Sequence, residues 1–276
     1  MAANPKDIHE PSYVPLTGAA GATRLHLLHH LFGPISRQML LEAGIAPGMR
    51  VLDLGCGIGT VSCWMASQVG PDGAVVSVDL NADQLAVART EAEALDVKNT
   101  ITFLERSASD TGLPSESFDI VFCRFLLCHL VDPLAALKEM HRVLKSGGAI
   151  VCQDVDLATT CSLPDSDAVN RSAQVAIEAG KKIGADYRFG RRLHSELLKL
   201  GFTSVAPRFD QPVHLSGPEK HFWEYTFSEA APGIIKAGAI NQPEADELCR
   251  LLHQVTLDPG TVIAQHGSFS CLAVKP

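Results

Sequence analysis

The sequence has no apolar run approaching the roughly 20 residues that a bilayer-crossing helix needs. It opens Met-Ala-Ala-Asn-Pro-Lys-Asp, without the basic-then-apolar order of a secretory signal. A concentrated basic stretch is absent too. Lys and Arg total 23 against 31 Asp and Glu, the formal charge is -8, and cations occur singly or in pairs such as Lys181-Lys182 and Arg191-Arg192. Polyanions are bound by clustered cations that release their counterions, so nucleic acid is not an expected partner. There is no internal repeat or low-complexity run. The eight cysteines include no CxxC pair, and most (Cys56, Cys63, Cys123, Cys128, Cys152, Cys271) sit in apolar runs. That pattern predicts reduced, buried thiols rather than a disulfide framework or a zinc site. His26, His29 and His30 are close in sequence, but only His26 and His30 share a helical face, with no carboxylate or cysteine beside them. No metal is therefore expected. The expectation from these features is a cytoplasmic globular protein without a membrane partner.

What is present is an alternation. Residues 1–20 are rich in Pro, Gly and Ala and read as an irregular arm. Leu25, Leu28, Leu31 and Phe32 then recur at helical spacing, and a second apolar set (Ile35, Met39, Leu40) follows Gly33-Pro34. Strands are expected at 50–54, 74–79, 100–104, 118–123 and 149–153. Helices are expected at 59–69, 82–94 with Asn81 as its cap, and 133–144, the last stopping at Ser146-Gly147-Gly148. Such βαβ units imply a parallel sheet with right-handed crossovers. After residue 155 the rhythm changes. Helices are expected at 168–183 and 191–200, a strand at 205–215, helices at 218–239 and 243–257, and a closing strand at 261–274. The predicted fold is α/β: a Rossmann-like, doubly wound, mostly parallel seven-stranded sheet with an antiparallel last strand. Residues 1–45 form an arm and helical cap, and residues 46–276 one domain with a helical insertion at about 215–260, between the last two strands.

The first strand runs into Val51-Leu52-Asp53-Leu54-Gly55-Cys56-Gly57-Ile58-Gly59-Thr60. Glycines here let the chain turn tightly and let a ligand approach the backbone. A dinucleotide loop wants G-x-G-x-x-G, whereas here the glycines alternate and Asp53 precedes them. This suits a zwitterion, its carboxylate met by backbone N–H groups and its ammonium by nearby acceptors. Asp79, ending the second strand, is an acceptor-only group suited to both hydroxyls of a ribose. Leu80 beside it offers an apolar face to an adenine, and Ser107-Ala108 follows strand three where the adenine edge would lie. Arg124 and Phe125 end strand four at the switch point.

These motifs resemble the class I S-adenosylmethionine-dependent methyltransferases, in particular the subgroup similar to ubiquinone/menaquinone-biosynthesis methyltransferases. The matching pieces are 51–60, Val78-Asp79-Leu80, Leu113-Pro114 before Ser117-Phe118-Asp119, His129-Leu130-Val131-Asp132-Pro133, Val143-Leu144-Lys145-Ser146-Gly147-Gly148, and 192–202 ending Leu200-Gly201-Phe202. They cover roughly residues 45–205, in order. The resemblance implies S-adenosyl-L-methionine as cofactor. It assigns Gly55, Cys56 and Gly57 to the methionine loop, organised by Asp53. Asp79 would take the ribose, with Leu80, Gln84, Ser107 and Ala108 around the adenine and Arg124 at the strand end. Ser107 departs from the usual Asp or Asn, and Lys145-Ser146 from the usual Lys-Pro.

His129 is a candidate catalytic base or else a structural residue. Asp154 and Asp156 either face substrate or cap the next turn. Tyr13 and Arg24 are candidates to fold over the cofactor. Trp223, Tyr225 and Phe227 pack a core or wall a substrate site. The expected reaction is in-line methyl transfer to O, N or C of a small organic molecule. The alternatives are a protein or RNA methyltransferase, and a cofactor-binding scaffold without turnover. Neither the acceptor nor the oligomeric state, a homodimer included, follows from the sequence.

Overall fold

The computed structural model describes residues 18–276. Helix α1 (Gly18–Glu42) passes unbroken through Gly33-Pro34, where the sequence suggested two separate apolar sets. An internal proline costs about 3 kcal/mol. Phe32, Met39 and Leu40 on the inner face are fully buried, and each contributes roughly 1.5–3 kcal/mol. Burial therefore outweighs the break. Tyr13 lies outside the described residues.

The chain then alternates as expected: β1 (Arg50–Leu54), α2 (Thr60–Val69), β2 (Ala74–Asp79), α3 (Ala82–Ala94), β3 (Ile101–Glu105), β4 (Phe118–Arg124), α4 (Pro133–Val143) and β5 (Leu144–Asp156). Asn81 Oδ1 accepts from Gln84 N–H at 3.0 Å and starts α3. Asp132 does the same for α4 by accepting from Ala135 N–H at 3.0 Å, with Pro133 in the first turn.

The expected stop at Ser146-Gly147-Gly148 is corrected here: α4 runs directly into β5 at Leu144. Leu144 already pairs with Phe118, and the register slips before Ile120 meets Ala149. The glycines form this bulge, Gly147 N–H donating to Lys275 O at 2.8 Å. Turn residues are local signals, and cross-strand pairing overrode this one.

The last third comprises β6 (Cys161–Leu163), α5 (Asp167–Ile183), α6 (Leu193–Lys199), β7 (Thr203–Asp210), β8 (Val213–His214), α7 (Phe222–Lys236), α8 (Gln242–Leu257), β9 (Val262–Ala264) and β10 (Gly267–Val274). The main sheet has seven strands in the order β3-β2-β1-β4-β5-β10-β7. β10 is antiparallel to both neighbours, while the β1–β5 pairings are parallel. The single long strands expected at 205–215 and 261–274 are each split in two. Their inner pieces join β6 in a second sheet, β6-β9-β8, that the alternation of residues did not signal. One core lies between the sheet and α4–α8, a second under α1–α3. Among the described residues no helix is long and apolar enough to cross a membrane.

Candidate active site

Strand order reverses between β1 and β4, and open α/β sheets bind ligands beyond the strand ends at such a point. Residues 55–59 leave β1 there. Gly55, Gly57 and Gly59 have φ of 76°, 55° and 75°, in the left-handed region that disfavours side chains. A Cβ on them would meet Leu126 at 2.8 Å, Gln84 Oε1 at 2.9 Å and Ala88 Cβ at 2.8 Å respectively. Gly59 thus does the close helix packing that the third glycine does in a dinucleotide loop.

The loop is held from below. Gly55 and Cys56 N–H donate to Val78 O at 2.7 and 3.0 Å, and Gly59 N–H to Cys56 O at 3.0 Å. Gly57 N–H donates to Asp79 Oδ2 at 2.8 Å, while Asp79 Oδ1 accepts from Asn81 N–H at 2.9 Å. The expectation that loop N–H groups would meet a carboxylate is therefore corrected for these four residues. Their donors are engaged within the protein: the end of β2 accepts those of Gly55, Cys56 and Gly57, and Cys56 O within the loop accepts that of Gly59. The cations Arg106 and Arg124 line the cavity, and Arg124 donates to Ser36 Oγ at 3.3 Å. Burial brings its pKa down to about 10, against the pull of Asp53. Asp53 is buried and accepts from Ser62 Oγ at 2.5 Å. Burial pushes its pKa up to about 6, with Ser62 and Arg124 opposing. Burial also raises Asp79, moderated by the backbone donors of Asn81, Gly57 and Leu80.

These groups line a cavity of about 350 Å³. Asp53, Gly55, Cys56, Gly57, Asp79, Leu80, Gln84, Ala108 and Arg124 all reach it, and so does His129. Ser107 does not. Its hydroxyl pairs with Ser109 Oγ at 2.9 Å, and the next-door Arg106 lines the wall. Gln84 Oε1 is buried without a partner and lies against Gly57, an acceptor facing the cradle.

A second chamber of about 90 Å³ adjoins the first and shares Leu28, Phe125 and His129 with it. Its walls include Tyr187, Phe222, Trp223, Phe227, Ile234 and His266. Trp223 donates Nε1–H to Ser172 Oγ at 2.8 Å, so it presents an apolar face. Tyr225, 41% exposed, lies outside. Phe125 has a φ of 50°, a strained value for a bulky residue. Its ring stands edge-on to Phe32 at 5.0 Å. Arg24 donates to Glu229 at 2.7 Å and ties α1 to α7 across this chamber. Burial, and secondarily Arg24, lowers the His129 pKa to about 3.

The other candidates have structural work. Asp154 accepts from Cys128 N–H at 3.1 Å and Val155 N–H at 2.7 Å. Asp156 caps the following turn through Ala158 N–H at 3.1 Å and pairs with Arg191. His26, His29 and His30 face Glu91, Arg37 and Glu219 separately. Among the described residues no cluster of His, Cys, Asp and Glu could hold a metal ion. Tyr187 and His266 were not foreseen. Each sits in an irregular link, where no periodicity marks a residue as facing inward.

The family model described as a methyltransferase domain matches residues 45–190, more than half of the chain and the whole loop-bearing half of the sheet. The chain belongs to this methyltransferase-domain family. The ubiquinone/menaquinone biosynthesis C-methyltransferase UbiE of a Shewanella species is 36% identical over 115 residues, covering 42% of this chain and 46% of that protein. The chain thus matches about half the length of such curated relatives. A Bacillus halodurans protein provisionally assigned as a methyltransferase superposes with a TM-score of 0.58 at 22% identity, covering 87% of this chain and 98% of that one. Phosphoethanolamine N-methyltransferase 2 of Haemonchus contortus, in complex with phosphomonomethylethanolamine and S-adenosylhomocysteine, gives 0.54 at 21% identity, covering 94% and 54%. At these identities the structural likeness speaks for the fold alone. The family match ends before α6, so most of the aromatic wall, α7 and the β9–β10 link included, lies outside it.

Proposed function

We propose that the protein is an S-adenosyl-L-methionine-dependent methyltransferase acting on a small, largely apolar organic acceptor. The observation that carries this reading is the pair of joined cavities: one at the glycine loop that carries the charged groups Asp53, Asp79 and Arg124, and an aromatic one beside it, with Phe125 and His129 on the shared wall. The residues at the loop fit the cofactor. Asp79 offers acceptor lone pairs to a ribose while holding the loop. Asp53 suits a cationic group, Arg124 a carboxylate, and the unpartnered Gln84 Oε1 an N–H donor. Leu80 and Ala108 supply apolar surface for an adenine. The bound cofactor supplies an electrophilic methyl on a sulfonium.

The chain's own task is then to aim an acceptor atom at that methyl and exclude water. Leu28 and Phe125 roof the junction, and Trp223 and Phe227 press the acceptor's apolar body toward it. His129, with its pKa near 3, stays neutral and suits orienting a hydroxyl better than removing its proton. The Shewanella relative's name, a C-methyltransferase of ubiquinone/menaquinone biosynthesis, supports a quinone-related ring as acceptor and carbon as the methylated atom. Eight free cysteines suit the reducing cytoplasm. Neither a nucleic acid nor a second subunit is required by this arrangement.

The test is incubation with methyl-labelled cofactor and an extract of small metabolites, supplemented with defined hydroquinones. Label in the small-molecule fraction supports the reading. Label in protein or RNA overturns the acceptor assignment. Binding of S-adenosylhomocysteine with no label transferred anywhere would make the protein a scaffold instead.

A further inference from the structure

His266 is a polar group in the aromatic chamber that the family match leaves unexplained. It lies beyond residues 45–190, in the short link between β9 and β10. The ring is only 5% exposed. It stacks flat on Phe32, with centroids 4.9 Å apart and planes 5° from parallel. Phe125 and Phe222 meet it edge-on at 5.4 and 5.6 Å. Clamped by three phenyl rings, the imidazole has little freedom to seek another partner. Its Nδ1 is buried and makes no hydrogen bond, while the ring lines the chamber. Buried polar atoms are usually paired, so Nδ1 offers an unfilled hydrogen-bonding position to a molecule that enters the chamber.

The neighbouring polar groups are engaged. Trp223 Nε1 donates to Ser172, Thr226 Oγ1 to Phe222 O, and Arg24 to Glu229. Burial lowers the His266 pKa to about 4. Backbone polar groups at Gly267 and at His266 itself lie near the ring and oppose this shift, but none meets Nδ1 with hydrogen-bond geometry. The ring is therefore neutral at ordinary pH and suits an uncharged ligand. Nδ1 donates in one tautomer and accepts in the other, and a hydroxyl can answer either.

We propose that His266 Nδ1 anchors a hydroxyl of the acceptor, so that His266 selects hydroxylated aromatic rings over bare hydrocarbons of the same shape. This rests on reading the aromatic chamber as the acceptor site. In it His266 is a positioning and specificity residue, set by α1, β4 and the β9–β10 link together.

The experiment compares phenol with toluene, which share a shape and differ in one hydroxyl. Both are titrated by NMR into S-adenosylhomocysteine-treated protein. Wild type should bind phenol about tenfold more tightly, as one hydrogen bond to a buried partner provides. In His266→Phe the ratio should fall at least about threefold, any residual preference being that of His129 on the shared wall, with toluene binding within about twofold of wild type. His266→Gln should keep the preference. An unchanged ratio in His266→Phe overturns the proposal. Should that variant not fold, histidine-selective nitrogen NMR on wild type serves. Phenol, and not toluene, must then move an Nδ1 resonance that His266→Gln lacks, and absence of that shift is fatal. If S-adenosylhomocysteine binds but neither ring does, the anchor is refuted while the cofactor reading stands. If S-adenosylhomocysteine does not bind, the cofactor reading fails by itself, and the phenol–toluene contrast still decides His266.

Discussion

Replacing Asp79 by Ala removes two functions held by one carboxylate. In the free protein its oxygens accept from Gly57 N–H at 2.8 Å and Asn81 N–H at 2.9 Å. Hydrogen bonds to a charged acceptor contribute about 1.5–3 kcal/mol each. Burial works against them and wins, since the Asp79 pKa is raised despite both bonds. The ligand-free protein should therefore lose only about 1 kcal/mol, a fall in Tm of about 2–4 °C for a chain of this size. Ligand binding loses more. A charged acceptor for two ribose hydroxyls contributes about 2–4 kcal/mol, or roughly 30- to 1000-fold in affinity. Calorimetry with S-adenosylhomocysteine and with adenosine measures this directly, and both should weaken because they share the ribose. Affinities within about threefold of wild type would refute the ribose assignment. A fall in Tm beyond about 10 °C would refute the energy balance, making Asp79 chiefly a loop brace.

Asp53 and Asp154 are both pushed up to about 6 by burial, so the folded protein keeps protons that the unfolded chain releases near pH 4. Their contribution to stability is full below about pH 4 and is lost as pH rises through about 6, roughly 1–3 kcal/mol for each. Denaturation of wild type and Asp154→Asn across pH 4–7 should show a flatter slope in the variant, and equal slopes would contradict the assignment. Asp156→Asn removes the charge of a fully buried carboxylate paired with the partly exposed Arg191. Because the Arg191 left behind is partly exposed and Asn keeps an acceptor for Ala158 N–H, it should cost only about 1 kcal/mol of stability with cofactor affinity unchanged. A loss of affinity without a loss of stability would return Asp156 to the ligand side. His129, with its pKa near 3, should leave no ionisation between pH 5 and 8 in the rate profile. A limb near pH 6.5 that vanishes in His129→Gln would contradict this.

The loop half of the protein was legible because its signals are short-range. Asn81 caps α3 three residues away, and alternating glycines adopt positive φ one turn from the strand that feeds them. The same locality explains the errors. Gly147-Gly148 looked like a helix stop but serves a bulge set by pairing with β4. Gly33-Pro34 looked like a break but lies inside a helix whose buried face outweighs it. Loop N–H groups looked free for an anion, yet the end of β2 takes those of Gly55, Cys56 and Gly57.

By itself the sequence determined the cofactor side: a doubly wound sheet, a glycine loop framed by Asp53 and Asp79, and membership of a methyltransferase family. Each motif is itself short-range, where chain geometry ties composition to shape, and the family membership comes from their order along residues 45–190. The tertiary structure alone assembled the aromatic chamber proposed as the acceptor side. Leu28 on α1, Phe125 after β4, Tyr187 after α5, Trp223 on α7 and His266 before β10 meet around one chamber. No periodicity connects residues so far apart in the chain. What brings them together is the packing of α1, α5 and α7 over the end of the sheet, and burial there leaves His266 Nδ1 without a partner.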